Sequence, residues 1–368
     1  MSDVKYWIWL SMALGAGART DEVLSVYPEP EDLYKASRMD RIISGVFTKN
    51  KLDKLEAVTL EAAENAISIC RKNGWKIYTP QSSEYPESLK NLIDMPLVLF
   101  CDGDITCLEG KLAIGIVGTR NPSYDSAKIA RKLASEISEK GAVVVSGGAL
   151  GIDSAAHEGA LSAGAPTVCV LGCGLGTRYL VSNDAMRREI AKIGAVVTEY
   201  PPFAPASRTT FPLRNRIISG LSEGVLVVEA GEKSGSLITA NCALEQGKEV
   251  FAVPGSILDT SHTGVNKLIK DGAMVVTSSE DIIYAYSSLY PYLTDTKAPE
   301  DKPKSDTAPT DIEGDALTVY KLLGREPLHS DEICALSGLT PPKVMAALTE
   351  LELFGYAEQT EGKSYVRA

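Results

Sequence analysis

The stretch Ser146-Gly147-Gly148-Ala149-Leu150-Gly151-Ile152-Asp153 follows the apolar run Ala142–Val145 and leads into the helix-prone Ser154-Ala155-Ala156-His157-Glu158. Strand, glycine-rich turn and helix in that order can hold an anion. Glycine has no Cβ to keep the main chain away, and a helix N-terminus points its free N–H groups at the ligand. Further segments repeat the arrangement. Gly118-Thr119-Arg120-Asn121-Pro122-Ser123 joins an apolar run to a helix, with Ser123 as N-cap and Arg120 as a charged donor. Leu171-Gly172-Cys173-Gly174-Leu175-Gly176 follows a strand-like run, as does Thr198-Glu199-Tyr200-Pro201-Pro202. Phe211-Pro212-Leu213-Arg214-Asn215-Arg216 starts a helix with two arginines, and Val227-Val228-Glu229-Ala230 is soon followed by Ser234-Gly235-Ser236. One such turn is often a tight turn and nothing more. Several on one sheet edge, with Arg120, Arg214 and Arg216 attached, describe a surface for phosphates.

The inventory for catalysis is thin. The chain has three histidines, His157, His262 and His329. His157 lies one helical turn after Asp153, a spacing that suits an aspartate capping its helix and fixing the imidazole. Glu229, at a strand end, can serve as a base; equally, it can accept bonds from Arg214 or Arg216. The pattern places no nucleophile beside a base and gathers no metal-ligand cluster. The missing G-x-x-x-x-G-K-[ST] argues against a Walker ATPase. The missing G-x-G-x-x-G with its acidic residue argues against a dinucleotide, so no cofactor is expected.

These turns need a scaffold. Apolar runs at Ala113–Val117, Ala142–Val145, Thr167–Leu171, Ala195–Thr198, Gly224–Val228, Glu249–Val253 and Ala273–Val276 read as strands. Helical segments separate them, and Ile129, Leu133 and Ile137 share one face of the first. The predicted class is α/β, an extended Rossmann-like and mostly parallel sheet, in a core at 81–290. Residues 1–80 read as a helical module, with Trp7, Leu10 and Leu14 at helical spacing and one apolar stripe running from Leu55 to Cys70. Gly15-Ala16-Gly17 hints at a SAM or helix-hairpin-helix unit. Residues 291–311, rich in proline and charge, read as a linker. Residues 312–368 read as a C-terminal winged helix, with its recognition helix at Pro341–Leu353.

At 368 residues and 44% apolar content the chain has room for two or three domains. No run is apolar enough for a membrane span, and Met1–Trp7 lacks a secretory signal, so a cytoplasmic location without membrane contact is expected. The seven cysteines form no C-x-x-C pair, as suits a reducing compartment. The net charge of −11 argues against coating nucleic acid by bulk charge, but leaves room for a local basic groove.

Gly118–Ser123, Ser146–Asp153 with Ala156-His157, Phe211–Ser222 and Ser234–Gly255 (SGSLITANCALEQGKEVFAVPG) resemble the DNA-processing protein A family, DprA or Smf, across about residues 75–285. That resemblance implies a non-enzymatic, homodimeric binder of single-stranded DNA. Such a protein protects incoming strands in natural transformation and loads the RecA recombinase for recombination. It places the strand on Gly118, Thr119, Arg120, Ser123, Ser146, Gly147, Gly148, Gly151, Asp153, His157, Gly172, Gly174, Arg178, Arg214, Asn215, Arg216, Ser234, Gly235 and Ser236. Phosphates would meet the hydroxyls, arginines and main-chain N–H groups. Phe203, Tyr200 or Phe211 would supply a stacking face for a base.

The chain also departs from that family. Its usual G-L-D, Y-P and basic residue become Gly174-Leu175-Gly176-Thr177-Arg178-Tyr179-Leu180-Val181, with Arg178 as the stand-in cation. Phe203 stands where a glycine is usual. The winged helix carries five positive and nine negative residues, a net −4, which suits a protein contact or dimerisation better than a phosphate backbone. A second reading is a nucleotide-processing enzyme of the lysine-decarboxylase-like glycosidase group. It needs a P-G-G-x-G-T block, where this chain has Ser146-Gly147-Gly148-Ala149.

Overall fold

The computed structural model describes residues 3–294, 312, 314–324, 327–360 and 363–367. Nine strands form its main sheet: β1 (Lys76–Tyr78), β2 (Leu99–Gly103), β3 (Ala113–Val117), β4 (Val143–Ser146), β5 (Thr167–Val170), β6 (Ala195–Thr198), β7 (Gly224–Val227), β8 (Glu249–Ala252) and β9 (Met274–Val275). They lie in the order β1-β2-β6-β5-β4-β3-β7-β8-β9. Pairing is parallel from β6 to β9, while β1 and β2 add an antiparallel edge. The sheet is therefore Rossmann-like and mostly parallel, as the alternating pattern predicts.

Helices cover both faces, which is why these strands read as unbroken apolar runs. In β3, Ala113 and Val117 join one core, while Ile114 and Ile116 join the other. The first core also holds Trp7, Ile8, Trp9 and Leu10 from the N-terminal helix Val4–Leu14. Shared burial explains why Met1–Asp295 makes one compact unit.

Two local readings change. The stripe from Leu55 to Cys70 is two helices, Lys49–Ala57 and Leu60–Asn73, because Thr59 caps the second by accepting from the Ala62 N–H. Within the stretch read as helical, β1 pairs with β2 and joins the sheet. The proline-rich 291–311 segment lies outside the described residues from 295 onward. Its start, Pro291–Leu293, is a 3-10 turn with Leu293 buried.

The second unit, Thr296–Ala368, holds helices Gly314–Leu322, Ser330–Ser337 and Pro341–Leu353. Strands β10 (Leu328–His329), β11 (Ala357–Thr360) and β12 (Ser364–Arg367) pair in the order β10-β12-β11. This is a winged helix. Gly338, at φ 69°, ends the middle helix in the left-handed region. Lys343 on the Pro341–Leu353 helix is ion-paired to Asp315 at 3.4 Å. Among the described residues, no helix is long and apolar enough to cross a membrane.

Candidate functional site

Chain order fixes where a crevice opens. From β3 the chain builds outward through β4 and β5 to β6, then returns to the other side of β3 with β7. Loops at such a reversal diverge and leave a crevice beyond the carboxyl ends of the strands. A cavity of about 270 Å³ occurs there, lined by Val117, Arg120, Ala149, Asp153, Arg208, Phe211, Arg214, Asn215, Gly235, Ser236 and Thr239 among others. It joins the loops after β3, β4 and β7 to the helix Thr210–Leu221. A larger cleft of about 610 Å³ runs past Ile93, Leu213, Arg216 and Lys248. It contains none of the glycine turns, so size does not mark the site.

The glycines act first by letting protein segments touch. A Cβ on Gly147 would stand 2.5 Å from Arg214 Nη2 and 2.6 Å from Asp153 Oδ2. Gly151 has φ +81°, and a Cβ there would collide with the Thr119 carbonyl. Without it, the Ile152 N–H reaches that carbonyl at 3.2 Å and joins the two loops. Asn183, which sequence reasoning missed, donates to the Gly148 carbonyl at 3.1 Å and to Ser154 Oγ at 3.0 Å. Only the fold brings it there, from 35 residues away.

The helix Thr210–Leu221 sorts its polar residues by face. Phe211, Arg214, Asn215 and Ile218 follow the i, i+3, i+4, i+7 pattern and all line the cavity. Arg214 is 4% exposed. Its Nη1 donates to the carbonyls of Gly147, at 2.6 Å, and of Val170. Its Nε has no hydrogen-bond partner among the described residues. Burial raises the Asp153 carboxyl above its usual range, and the Arg214 charge opposes that most.

Arg216 is a correction. Two residues on, it points to the far side, where Nε lies 3.0 Å from Asp94 Oδ2 and Nη2 donates to Glu199 Oε2 at 2.7 Å. It is buried there and does not line the cavity.

Two further polar residues turn inward. Ser146 donates to the Ile116 carbonyl at 2.6 Å and is fully buried. His157 does not meet Asp153. Thr167 gives its proton to the Val144 carbonyl, so His157 Nδ1 donates to Thr167 Oγ1 at 2.8 Å. Burial drives its imidazole down to about 3, with the Arg214 charge adding to the effect. The Asp153 carboxylate accepts from the Ala149 N–H at 3.3 Å instead.

Glu229 accepts from neither arginine. It takes the Ser123 N–H at 2.9 Å and the Ser123 hydroxyl at 3.0 Å. Burial pushes this carboxyl up, but donors from Ser126, Ser123 and Ser261 outweigh it and hold it below the ordinary range. Ser123 also caps the helix Tyr124–Glu139, accepting from the Ser126 N–H at 3.2 Å. Its hydroxyl is therefore engaged on both counts.

Exposed positive charge remains at Arg120, Arg178 and Arg208, none of which has an ion-pair partner among the described residues. Arg120 stands 5.3 Å from the centre of the Phe211 ring, and Tyr179 stands 5.1 Å from it. Arg208 was not singled out from sequence. Its signal was a cation three residues before Phe211, at the entrance to the helix carrying Arg214. Arg178 lies outside the cavity wall. Gly172 fits the Phe211 ring, 2.9 Å from where its Cβ would be, and the Gly174 N–H goes to the Ala204 carbonyl at 2.9 Å.

At the start of helix Ser236–Glu245, Ser234 and Ser236 share a hydroxyl contact at 2.8 Å, and Asn215 donates to the Gly235 carbonyl at 3.3 Å. Gly235 has φ −63°, and a Cβ on it would meet nothing within 4 Å. Neither backbone nor packing demands glycine there. Among the described residues no group of three metal-binding side chains is gathered.

This arrangement has relatives. The chain matches the DNA recombination-mediator protein A family over residues 76–287 and the DprA winged helix domain over residues 302–363. It is 47% identical to DNA processing protein DprA of Bacillus subtilis over 212 residues, 58% of this chain and 71% of that one. It is 39% identical to protein Smf of Escherichia coli over 293 residues, 78% and 76% of the two chains. The structure of DprA from Streptococcus pneumoniae superposes with a TM-score of 0.66 at 33% identity, covering 77% of this chain and 98% of that one. DprA from Helicobacter pylori, described for its single-stranded DNA binding mode, gives 0.53 at 32% identity, covering 58% and 97%. By sequence and by fold alike, the chain belongs to the DNA recombination-mediator protein A family.

Proposed function

We propose that the cavity at the β3–β7 reversal holds the backbone of single-stranded DNA. One observation carries the reading. Arg120 and Arg208, exposed and without an ion-pair partner among the described residues, share a cavity with buried Arg214 and the Gly235-Ser236 helix start, while Asp153 is the one carboxylate among the described residues of its wall. Phosphate contacts of this kind fix position without reading sequence. A chain of net charge −11 can still attract DNA through such a patch. On this reading Arg120, Arg208, Asn215, Ser236 and Gly235 touch the strand, Arg178 extends the path, and Gly118, Thr119, Gly147, Gly148, Gly151 and Arg214 shape it.

The same proposal makes the chain a cytoplasmic recombination mediator, acting as a homodimer that protects incoming strands and delivers them to RecA. It turns over no nucleotide. The engagement of Glu229 by serine donors supports that, since a carboxylate held ionised by several donors is a weak general base. The test is fluorescence anisotropy of labelled oligo-dT against a duplex of equal length at two salt concentrations. Tight, salt-sensitive binding of the single strand alone is expected. Equal binding of both, or release of free base from nucleoside monophosphates, overturns the reading.

A further inference from the structure

Loop 200–209 leads from the carboxyl end of β6 into the helix carrying Phe211, Arg214 and Asn215. Residues 201–204 close a turn, with the Ala204 N–H donating to the Pro201 carbonyl at 2.9 Å. Pro202 sets its second position, and Phe203 stands at its tip. The turn is clasped to the loop after β5. The Gly176 N–H reaches the Pro202 carbonyl at 2.7 Å, and the Gly174 N–H reaches the Ala204 carbonyl at 2.9 Å. Thr177 Oγ1 donates to that same carbonyl at 2.8 Å. Gly176 has no positive φ, yet any Cβ there would collide with the Phe203 ring. Its small size serves to seat that ring.

The result is an aromatic side chain held by a rigid loop and still 62% exposed. Such display does little for the core. A flat apolar face fixed in water beside unpaired cations is what a nucleobase needs, because every base stacks and its phosphate seeks positive charge nearby. Arg178 stands two residues from Gly176, exposed and unpaired among the described residues. Tyr179 follows, and its ring leads to Phe211 and Arg120 at the cavity edge. Phe211 already has Tyr179 and Arg120 against its ring, and Tyr200 donates to the Thr210 carbonyl at 3.3 Å. Of the three aromatic residues weighed from sequence, Phe203 is the one whose ring is exposed.

We infer that Phe203, seated on Gly176, is a base-stacking subsite that extends the strand path beyond the cavity, with Arg178 taking the adjoining phosphate. This rests on the proposed binding of single-stranded DNA. The test compares wild type, Phe203→Ala, Phe203→Tyr and Arg120→Glu on oligo-dT and on an abasic strand of equal length. Phe203→Ala is expected to weaken oligo-dT binding about tenfold and abasic binding not at all, with Phe203→Tyr close to wild type. Unchanged oligo-dT binding by Phe203→Ala, while Arg120→Glu still weakens it, overturns the subsite and leaves the groove standing. Equal losses on both strands also overturn stacking. A wild-type chain that binds neither strand removes the groove and the subsite together.

Discussion

Arg214 and Arg216 leave one helix in opposite directions, the first under the cavity against Gly147 and the second into a buried pair with Glu199. Two residues along a helix turn a side chain by about 200°. Similar neighbours in sequence thus have different duties, and their substitutions must separate.

Arg216→Ala leaves the Glu199 carboxylate buried without its cation. A stability loss of about 3–5 kcal/mol is expected, read by denaturant unfolding. DNA affinity per folded molecule stays unchanged. A variant as stable as wild type would refute this.

Arg120→Ala touches no buried pair, so its melting temperature should match wild type. Its affinity for oligo-dT should fall, and the slope of log affinity against log salt should shrink by about 0.7, the loss of one phosphate contact on a single strand. Arg208→Ala should do the same. An unaltered slope would take both residues off the strand path.

Gly147→Ala and Gly235→Ala should differ sharply. The first drives a methyl into Arg214 and Asp153 and should cost about 1–3 kcal/mol through overpacking. The second meets open space and should cost at most about 1 kcal/mol, the ordinary difference at a helix N-cap. A Gly235→Ala protein that folds normally but binds oligo-dT poorly would report close approach of the strand. Normal binding would place the strand elsewhere.

His157 should make the fold sensitive to acid. Its folded pKa lies near 3 against 6.5 when unfolded, so below 6.5 the unfolded chain takes up a proton that the folded chain does not. Stability is therefore lost as pH falls from 6.5 towards 3, at up to about 1.4 kcal/mol per pH unit. Denaturant titrations from pH 7 to 4 should show a steeper decline for wild type than for His157→Gln. Parallel curves would rule this out.

The sheet was legible because parallel strands buried on both faces leave runs such as Ala113–Val117 and Ala195–Thr198. The glycine turns were legible because they end those runs. β1 escaped because it is three residues on an edge, too short for a period to show. Arg216 was misplaced because it was grouped with Arg214 as one pair of cations, although a two-residue step along the helix Thr210–Leu221 sets them on opposite faces. Arg208 lies in a loop and Asn183 in a short 3-10 turn, where only the fold decides what they meet. His157 paired with Thr167 instead of Asp153 because the contact crosses from a helix to β5, beyond any local spacing rule.

The cavity wall gathers residues from Val117 to Thr239. No fragment of that span contains the site, and none of its loops is held in place until β3 has found both β4 and β7. Assembly by such distant pairings is slow, and the cavity comes into being only as the sheet closes. A bound strand would therefore bridge late-formed contacts and protect the whole parallel sheet from opening, not a single loop.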